Sequence, residues 1–414
     1  MRTAFRITLC VVFGAACLAA EDWPQFLGPS RNGIYSGPAL ADTWPATGPR
    51  VVWRKQVGAG FAGPAIAGTR LILFHRVAGE EVVESLDTRD GTSQWRYAYP
   101  TTYRDDFGFD EGPRAVPVVV NGRIYTFGAE GMLSATELTT GKKVWSVDTK
   151  RRFAVAKGFF GQAGSPLVED GRVIANVGGS DGAKPAGIVA FNADTGAVLW
   201  EATSHEASYA SPISATLGGK KLALFFTRQG LVGLDPATGA VQFQRTWRSR
   251  SQASVNAASP VVVGDLIFVS ATYETGAAVM RVDSGRLVDL WSSDEALSNH
   301  YATSIYYDGH LYGFHGRQEF GQALRAIDFR TGKVDWSIDQ FKAGTVLLAG
   351  NRLVILRESG ELVLAPATPE GFKPLARAQI LTGVVRAYPA LADGFLYARN
   401  ADDTLVCVDL RKQP

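Results

Sequence analysis

A short turn motif recurs along this chain, and its spacing limits the folds open to it. An acidic or amide residue is followed by Thr-Gly or a close variant, and then by tryptophan. The copies run from Asp87 through Gly91 to Trp95, from Glu137 through Thr140-Gly141 to Trp145, and from Asn192 through Thr195-Gly196 to Trp200. A fourth full copy runs from Asp328 through Thr331-Gly332 to Trp336. Asp235 to Phe243 carries phenylalanine at the tryptophan position, and Asp283-Ser284-Gly285 before Trp291 is a distorted copy. Successive copies lie roughly 40 to 55 residues apart, the period of propellers and solenoids.

Each copy reads as a strand, a turn in which glycine takes positive φ, and a second strand ending in a large ring suited to packing between sheets. A further hairpin precedes most copies, with Asn121-Gly122 and Asp170-Gly171 set between apolar runs. Two hairpins per repeat make a four-stranded blade. First strands are expected to begin at Pro64, Pro117, Pro166, Pro212, Pro260, Ser304, Thr345 and Pro389, which gives eight blades. Val51–Val57 has the pattern of a last strand without its hairpin, while residues 390–410 supply three strands and stop. Pairing the two would close the ring and remove its free edges. The expected fold is therefore all-β, an eight-bladed propeller of four-stranded antiparallel blades over residues 51–414.

The N-terminal segment has a separate logic. A basic start, a short apolar run from Ile7 to Leu18 and small residues at its end read as a secretory signal peptide over residues 1–20. The run is too short to span a bilayer. Export to the periplasm or the exterior follows, with lipid anchoring at Cys17 as a minor alternative. Residues 21–50 contain Trp23, Phe26 and Trp44 among prolines and glycines, and are expected to pack on the propeller as an arm. Of three cysteines only Cys407 would remain after processing, so no internal disulfide is available. A net charge of +2 gives no reason to expect nucleic acid as a partner, and a monomer is expected.

The repeat Ala-or-Leu-x-Asp-x-x-Thr-Gly-Lys-x-x-Trp, best seen at Glu137–Trp145 and Asp328–Trp336, resembles that of the pyrroloquinoline-quinone (PQQ) type β-propellers. The resemblance implies that Trp95, Trp145, Trp200, Trp291 and Trp336 dock onto neighbouring blades. One branch of that superfamily comprises quinoprotein dehydrogenases holding PQQ and calcium. Another is non-enzymatic and includes the scaffold lipoprotein of the outer-membrane β-barrel assembly machinery. The opening Trp23-Pro24-Gln25-Phe26 to Gly33 and the phrase Gly112-Pro113-Arg114 resemble secreted PQQ-binding-like propeller repeat proteins. The dehydrogenases are longer and carry a vicinal cysteine disulfide, which a single cysteine cannot form. No calcium-binding Glu-Asn pair with an aspartate base is apparent either. The favoured reading is a non-enzymatic binding or protein-interaction scaffold with an envelope or secreted partner and no expected cofactor. A PQQ- and calcium-dependent oxidoreductase is the rival.

Register also nominates a mouth. Three residues ahead of the eight first strands lie Phe61, Arg114, Ala163, Tyr209, Ala257, Tyr301, Lys342 and Arg386. Adding Asn256, His300 and Arg399 gives a candidate ligand-binding set of Arg114, Tyr209, Asn256, His300, Tyr301, Lys342, Arg386 and Arg399. Clustered cations in a concave site suit an anionic small molecule. The alternative is that they pair with carboxylates across blades. The acidic loop Arg104–Glu111 could counter Arg114 or hold calcium. No metal-binding His or Cys motif and no nucleophile elbow is present, so no catalytic residue is nominated.

Overall fold

The computed structural model describes residues 22–252 and 255–412, so the leader read at residues 1–20, with Cys10 and Cys17, lies outside the described residues. Eight sheets form the body, seven of them four-stranded and one extended to five. Blades 1 to 7 begin with first strands at Ala65–Ala67, Val118–Val120, Leu167–Glu169, Ile213–Leu217, Val261–Val263, Ile305–Tyr307 and Gly344–Ala349. Blade 8 takes Ala390–Ala392, Phe395–Arg399 and Thr404–Asp409 from the C-terminus and Arg50–Gln56 from the N-terminus, paired antiparallel. The ring is closed in this way, and each blade alternates direction strand by strand. First strands of neighbouring blades lie side by side around the axis.

Local chemistry explains the hairpins. Asn121-Gly122, Asp170-Gly171, Asp308-Gly309 and Asp393-Gly394 all have positive φ at both residues, the two-residue turn whose twist suits paired strands. In the longer motif turns the leading side chain caps the loop: Asn192 Oδ1 accepts from the backbone N–H groups of Asp194 and Thr195, each at 3.0 Å. Asp328 Oδ1 accepts from Thr331 at 2.8 Å.

The tryptophans then join one blade to the next. Trp95, Trp145, Trp200, Trp291 and Trp336 donate Nε1–H to the carbonyls of Leu138, Ala193, Pro236, Phe329 and Thr368 in the following blades, at 2.8 to 3.2 Å. Trp53 does the same to Thr88 across the closure. Five of these six rings, all but Trp336, lie against the following blade's motif glycine. A Cβ added at Gly91, Gly196, Gly239 or Gly332 would come within 2.6 to 3.0 Å of the facing indole, and one at Gly141 would overlap Trp95 outright. The motif therefore encodes both halves of a joint, a tryptophan that projects and a glycine niche that receives it. A β-bulge at each of these tryptophans, Trp336 included, for example between Lys143 and Trp145, turns the strand locally.

The arm does more than cover the body. Trp23 exchanges backbone hydrogen bonds with Ile66, and Pro24 O accepts from Val119, so it joins the first strands of blades 1 and 2. Ile34–Tyr35 adds a parallel strand to the first strand of blade 7. Between these points Arg31, only 4% exposed, donates to the carbonyls of Ser165, Pro166 and Pro212 in blades 3 and 4. Burial pulls its pKa down to about 9. The arm thus crosses the bore, tied to inner strands on both sides.

Candidate functional site

The loops that lead into the first strands surround a cavity of about 210 Å³ at one end of the axis. Of the eight register positions, Phe61, Arg114, Ala163, Tyr209, Ala257, Tyr301 and Arg386 all line it. Lys342 does not. It is exposed, has a φ of 68°, and its backbone N–H is spent on Gln322 O at 2.9 Å. Blade 7 lacks the proline before its first strand, and that strand begins at Gly344, one residue ahead of the expected Thr345.

The remaining nominated residues divide. His300 lines the cavity and its Nε2 lies 3.0 Å from Tyr273 Oη. Burial lowers its pKa to about 4, so the ring is neutral at ordinary pH. Asn256 and Arg399 are absent from the lining. Asn256 Nδ2 donates to the carbonyls of Thr227 and Trp247 at 2.9 and 2.8 Å, which knits blade 4 to the entry of blade 5. Arg399 is fully buried and donates to the carbonyls of Asn400 and Gly58 at 2.9 and 2.6 Å.

Each cation at the mouth has a carboxylate. Arg114 Nη2 pairs with Asp105 at 3.0 Å and also donates to Asp110 O at 2.9 Å. Arg386 Nε pairs with Glu358, and Arg317 Nη2 with Glu319 at 3.1 Å on the rim. The acidic loop is the counter-charge of Arg114. Asp105 also accepts from the backbone N–H groups of Phe107, Phe109 and Asp110 at 3.0 to 3.1 Å, which shapes the loop around itself. Among the described residues no group of three or more His, Cys, Asp or Glu is placed to hold a metal ion.

What the register did not reveal is the aromatic wall. Phe26 of the arm, Phe109, Phe160, Tyr273 and Tyr388 join Phe61, Tyr209 and Tyr301 around the cavity. Phe26 and Tyr388 meet edge to face at 4.9 Å, and Phe160 packs on Tyr209 at 5.4 Å. Phe109 and its stacked neighbour Phe107 stand 48% and 53% exposed at the lip. Their signal in the sequence is a pair of glycine-bearing aromatic loops, Phe107-Gly108-Phe109 and Gly158-Phe159-Phe160-Gly161, since exposed rings on loops mark recognition more often than packing. Arg386 lies 4.9 Å from the Phe109 ring centroid and 5.5 Å from that of Phe61, and Arg114 5.6 Å from the latter.

This donor set fits PQQ with calcium poorly. One carboxylate, Glu319, lines the cavity, the arginines already hold counter-charges, and Cys407 is buried in blade 8.

Comparison with known proteins gives two groups of relatives. The family described as outer membrane protein assembly factor BamB matches residues 79–338. BamB of Yersinia pestis is 22% identical over 298 residues, covering 68% of this chain and 72% of that protein. The quinohemoprotein alcohol dehydrogenase ADH-IIG of Pseudomonas putida is 34% identical over 122 residues, which span 29% of this chain and only 16% of the enzyme's length. Among solved structures, BamB of Moraxella catarrhalis superposes with a TM-score of 0.64 at 17% identity, covering 87% of this chain and 99% of that one. The quinohemoprotein alcohol dehydrogenase of Comamonas testosteroni gives 0.67 at 16% identity, covering 97% and 82%. At such identities the superpositions show a shared propeller and nothing finer.

Proposed function

The chain belongs to the family described as outer membrane protein assembly factor BamB, and we propose that it works as an exported, non-catalytic propeller that binds through its mouth face. The observation that carries this reading is the wall of aromatic rings around the mouth, placed on loops and held by a rigid ring of blades. A protein-interaction role in the cell envelope is the natural setting, with the exposed Phe107 and Phe109 at the lip as the contact a partner would cover. Among the described residues no helix is long and apolar enough to cross a membrane. Export rests on the basic and apolar leader at residues 1–20.

The second reading, a PQQ-dependent oxidoreductase, is favoured by the likeness to quinohemoprotein dehydrogenases. The paired arginines and the single lining carboxylate speak against it. A titration of the purified protein with PQQ, with and without calcium, followed by thermal shift and absorbance, separates the two. No saturable stabilisation is expected. Stabilisation that needs calcium and disappears in Arg386→Ala would overturn the non-catalytic reading.

A further inference from the structure

The mouth is more selective than a generic anion site. Its volume, about 210 Å³, lies below the range of roughly 300 to 1,000 Å³ usual for drug-sized ligands. An apolar cavity of about 150 Å³ already accepts benzene, so this one has room for a single ring and a substituent. Phe61, Phe109 and Phe160 supply flat apolar surface of the kind that receives such a ring.

Charge narrows the choice further. Arg114, Arg317 and Arg386 each hold one carboxylate, so the three pairs leave no cationic excess. A ligand with several negative charges would meet Glu319 and Glu358 without enough cation to offset them. A cationic ligand fares no better, because Phe61 already faces two guanidinium groups. The open valences are donors. Glu358 takes only Nε of Arg386, which leaves its Nη nitrogens without a hydrogen-bond acceptor among the described residues. Tyr301 Oη is buried and has no hydrogen-bond partner among the described residues, on a residue that lines the cavity. Donors without acceptors favour a ligand that brings one acceptor group.

The geometry points to a small ligand with one aromatic ring and a single negative charge, its ring among Phe61, Phe109 and Phe160 and its anionic group at Arg386 and Tyr301. This deepens, and rests on, the reading of the mouth as a binding site. It separates this site from one built for a fused-ring tricarboxylate.

The test uses three probes on the whole folded protein, followed by fluorine NMR line broadening and calorimetry. They are 4-fluorobenzoate, neutral 4-fluorotoluene, and benzene-1,2,4-tricarboxylate as competitor. Saturable binding of 4-fluorobenzoate is expected, at least tenfold tighter than that of the toluene, with little competition from the tricarboxylate. Arg386→Gln should weaken the benzoate about tenfold or more and leave the toluene unchanged. Tyr301→Phe, which removes one oxygen and no bulk, should weaken it severalfold even if the arginine variant fails to fold. Equal binding of benzoate and toluene, both lost in Phe109→Ala, would overturn the charge assignment and leave the mouth as a binding site. Competition by the tricarboxylate at equal concentration would overturn the selectivity. Absence of any ring binding would overturn this inference and leave the protein-interaction reading, which rests on the exposed rings at the lip, to be tested by partner capture.

Discussion

The seams between blades and the mouth at the axis use the same residue types to opposite ends. At a seam such as that between blades 2 and 3, Trp145 is 7% exposed, its Nε1–H is bonded to Ala193 O at 2.8 Å, and its ring fills a niche left by Gly196. At the mouth, Phe109 is 48% exposed and lines the cavity, and Phe107, 53% exposed, stacks on it at the lip, so neither ring fills a fitted niche. A ring matched to a glycine within the chain contributes stability. A ring left half-covered on a loop costs little to keep and offers its area to something else. The lesson is that the partner of an aromatic residue, more than its burial-prone chemistry, tells which of the two it serves.

The largest expected effect lies at a seam. Trp145→Ala removes a buried ring and should cost roughly 3 to 5 kcal/mol, read by urea denaturation. Gly196→Ala adds a methyl group that would lie 2.8 Å from the same ring, at a φ of 72°. If ring and niche form one joint, the cost of Gly196→Ala shrinks in the Trp145→Ala background, because only the backbone strain remains. Strict additivity of the two substitutions would break the comparison, since Trp145 would then be ordinary core.

That difference also explains what could be read from the sequence. The blades were legible because every joint repeats the same residues at one period, and the Asn-Gly and Asp-Gly turns fix each hairpin locally. Register carried the reading inward as far as Phe61, Arg114, Tyr209, Tyr301 and Arg386, since a position relative to a first strand is set by the fold alone. It lost Lys342, where blade 7's first strand begins early at Gly344 and the register slips. It could not see that Asn256 and Arg399 would be consumed by carbonyls of neighbouring loops, or that Glu358 would meet Arg386 from 28 residues away. Phe26 was harder still, because it reaches the cavity only when the arm crosses the bore. Loop conformations and long-range pairs have no period, so nothing local in the sequence announces them.

A second effect is tied to the mouth side. Burial lowers the pKa of both His300 and His315 to about 4 from the usual 6.5. The unfolded chain therefore takes up protons between pH 6.5 and 4 that the folded chain refuses, and stability is full above pH 6.5 and lost as pH falls toward 4. Each ring contributes up to about 1.4 kcal/mol per pH unit within that window. His300→Gln should flatten the slope of melting temperature against pH, whereas Trp145→Ala should lower the whole curve and keep its shape. An unchanged slope in His300→Gln would show that the mouth does not shape the acid response.

The smallest effect belongs to the seam between blades 4 and 5, where both halves of the joint are altered. Blade 4 carries Phe243 in place of tryptophan, and blade 5 replaces the longer motif turn with a two-residue hairpin at Ser284-Gly285, in which Asp283 pairs directly with Arg286. Phe243 turns instead onto Gly233 of its own blade, and a Cβ at Gly285 would have Gln242 O as its nearest neighbour, at 3.8 Å. Trp247 is anchored a little further along, with Nε1 on Gly276 O at 3.2 Å. Gly285→Ala should therefore cost only the strain of a left-handed residue at a φ of 77°, about 1 to 2 kcal/mol. The cost at Gly196, where the same strain adds to a collision with the ring, should exceed it. The ordering matters because Gly196 and Gly285 have nearly the same backbone angle, so any excess at Gly196 measures the tryptophan niche itself. Equal losses at the two sites would mean that glycine is required by the turns alone, and that the tryptophan contributes its area without needing the niche.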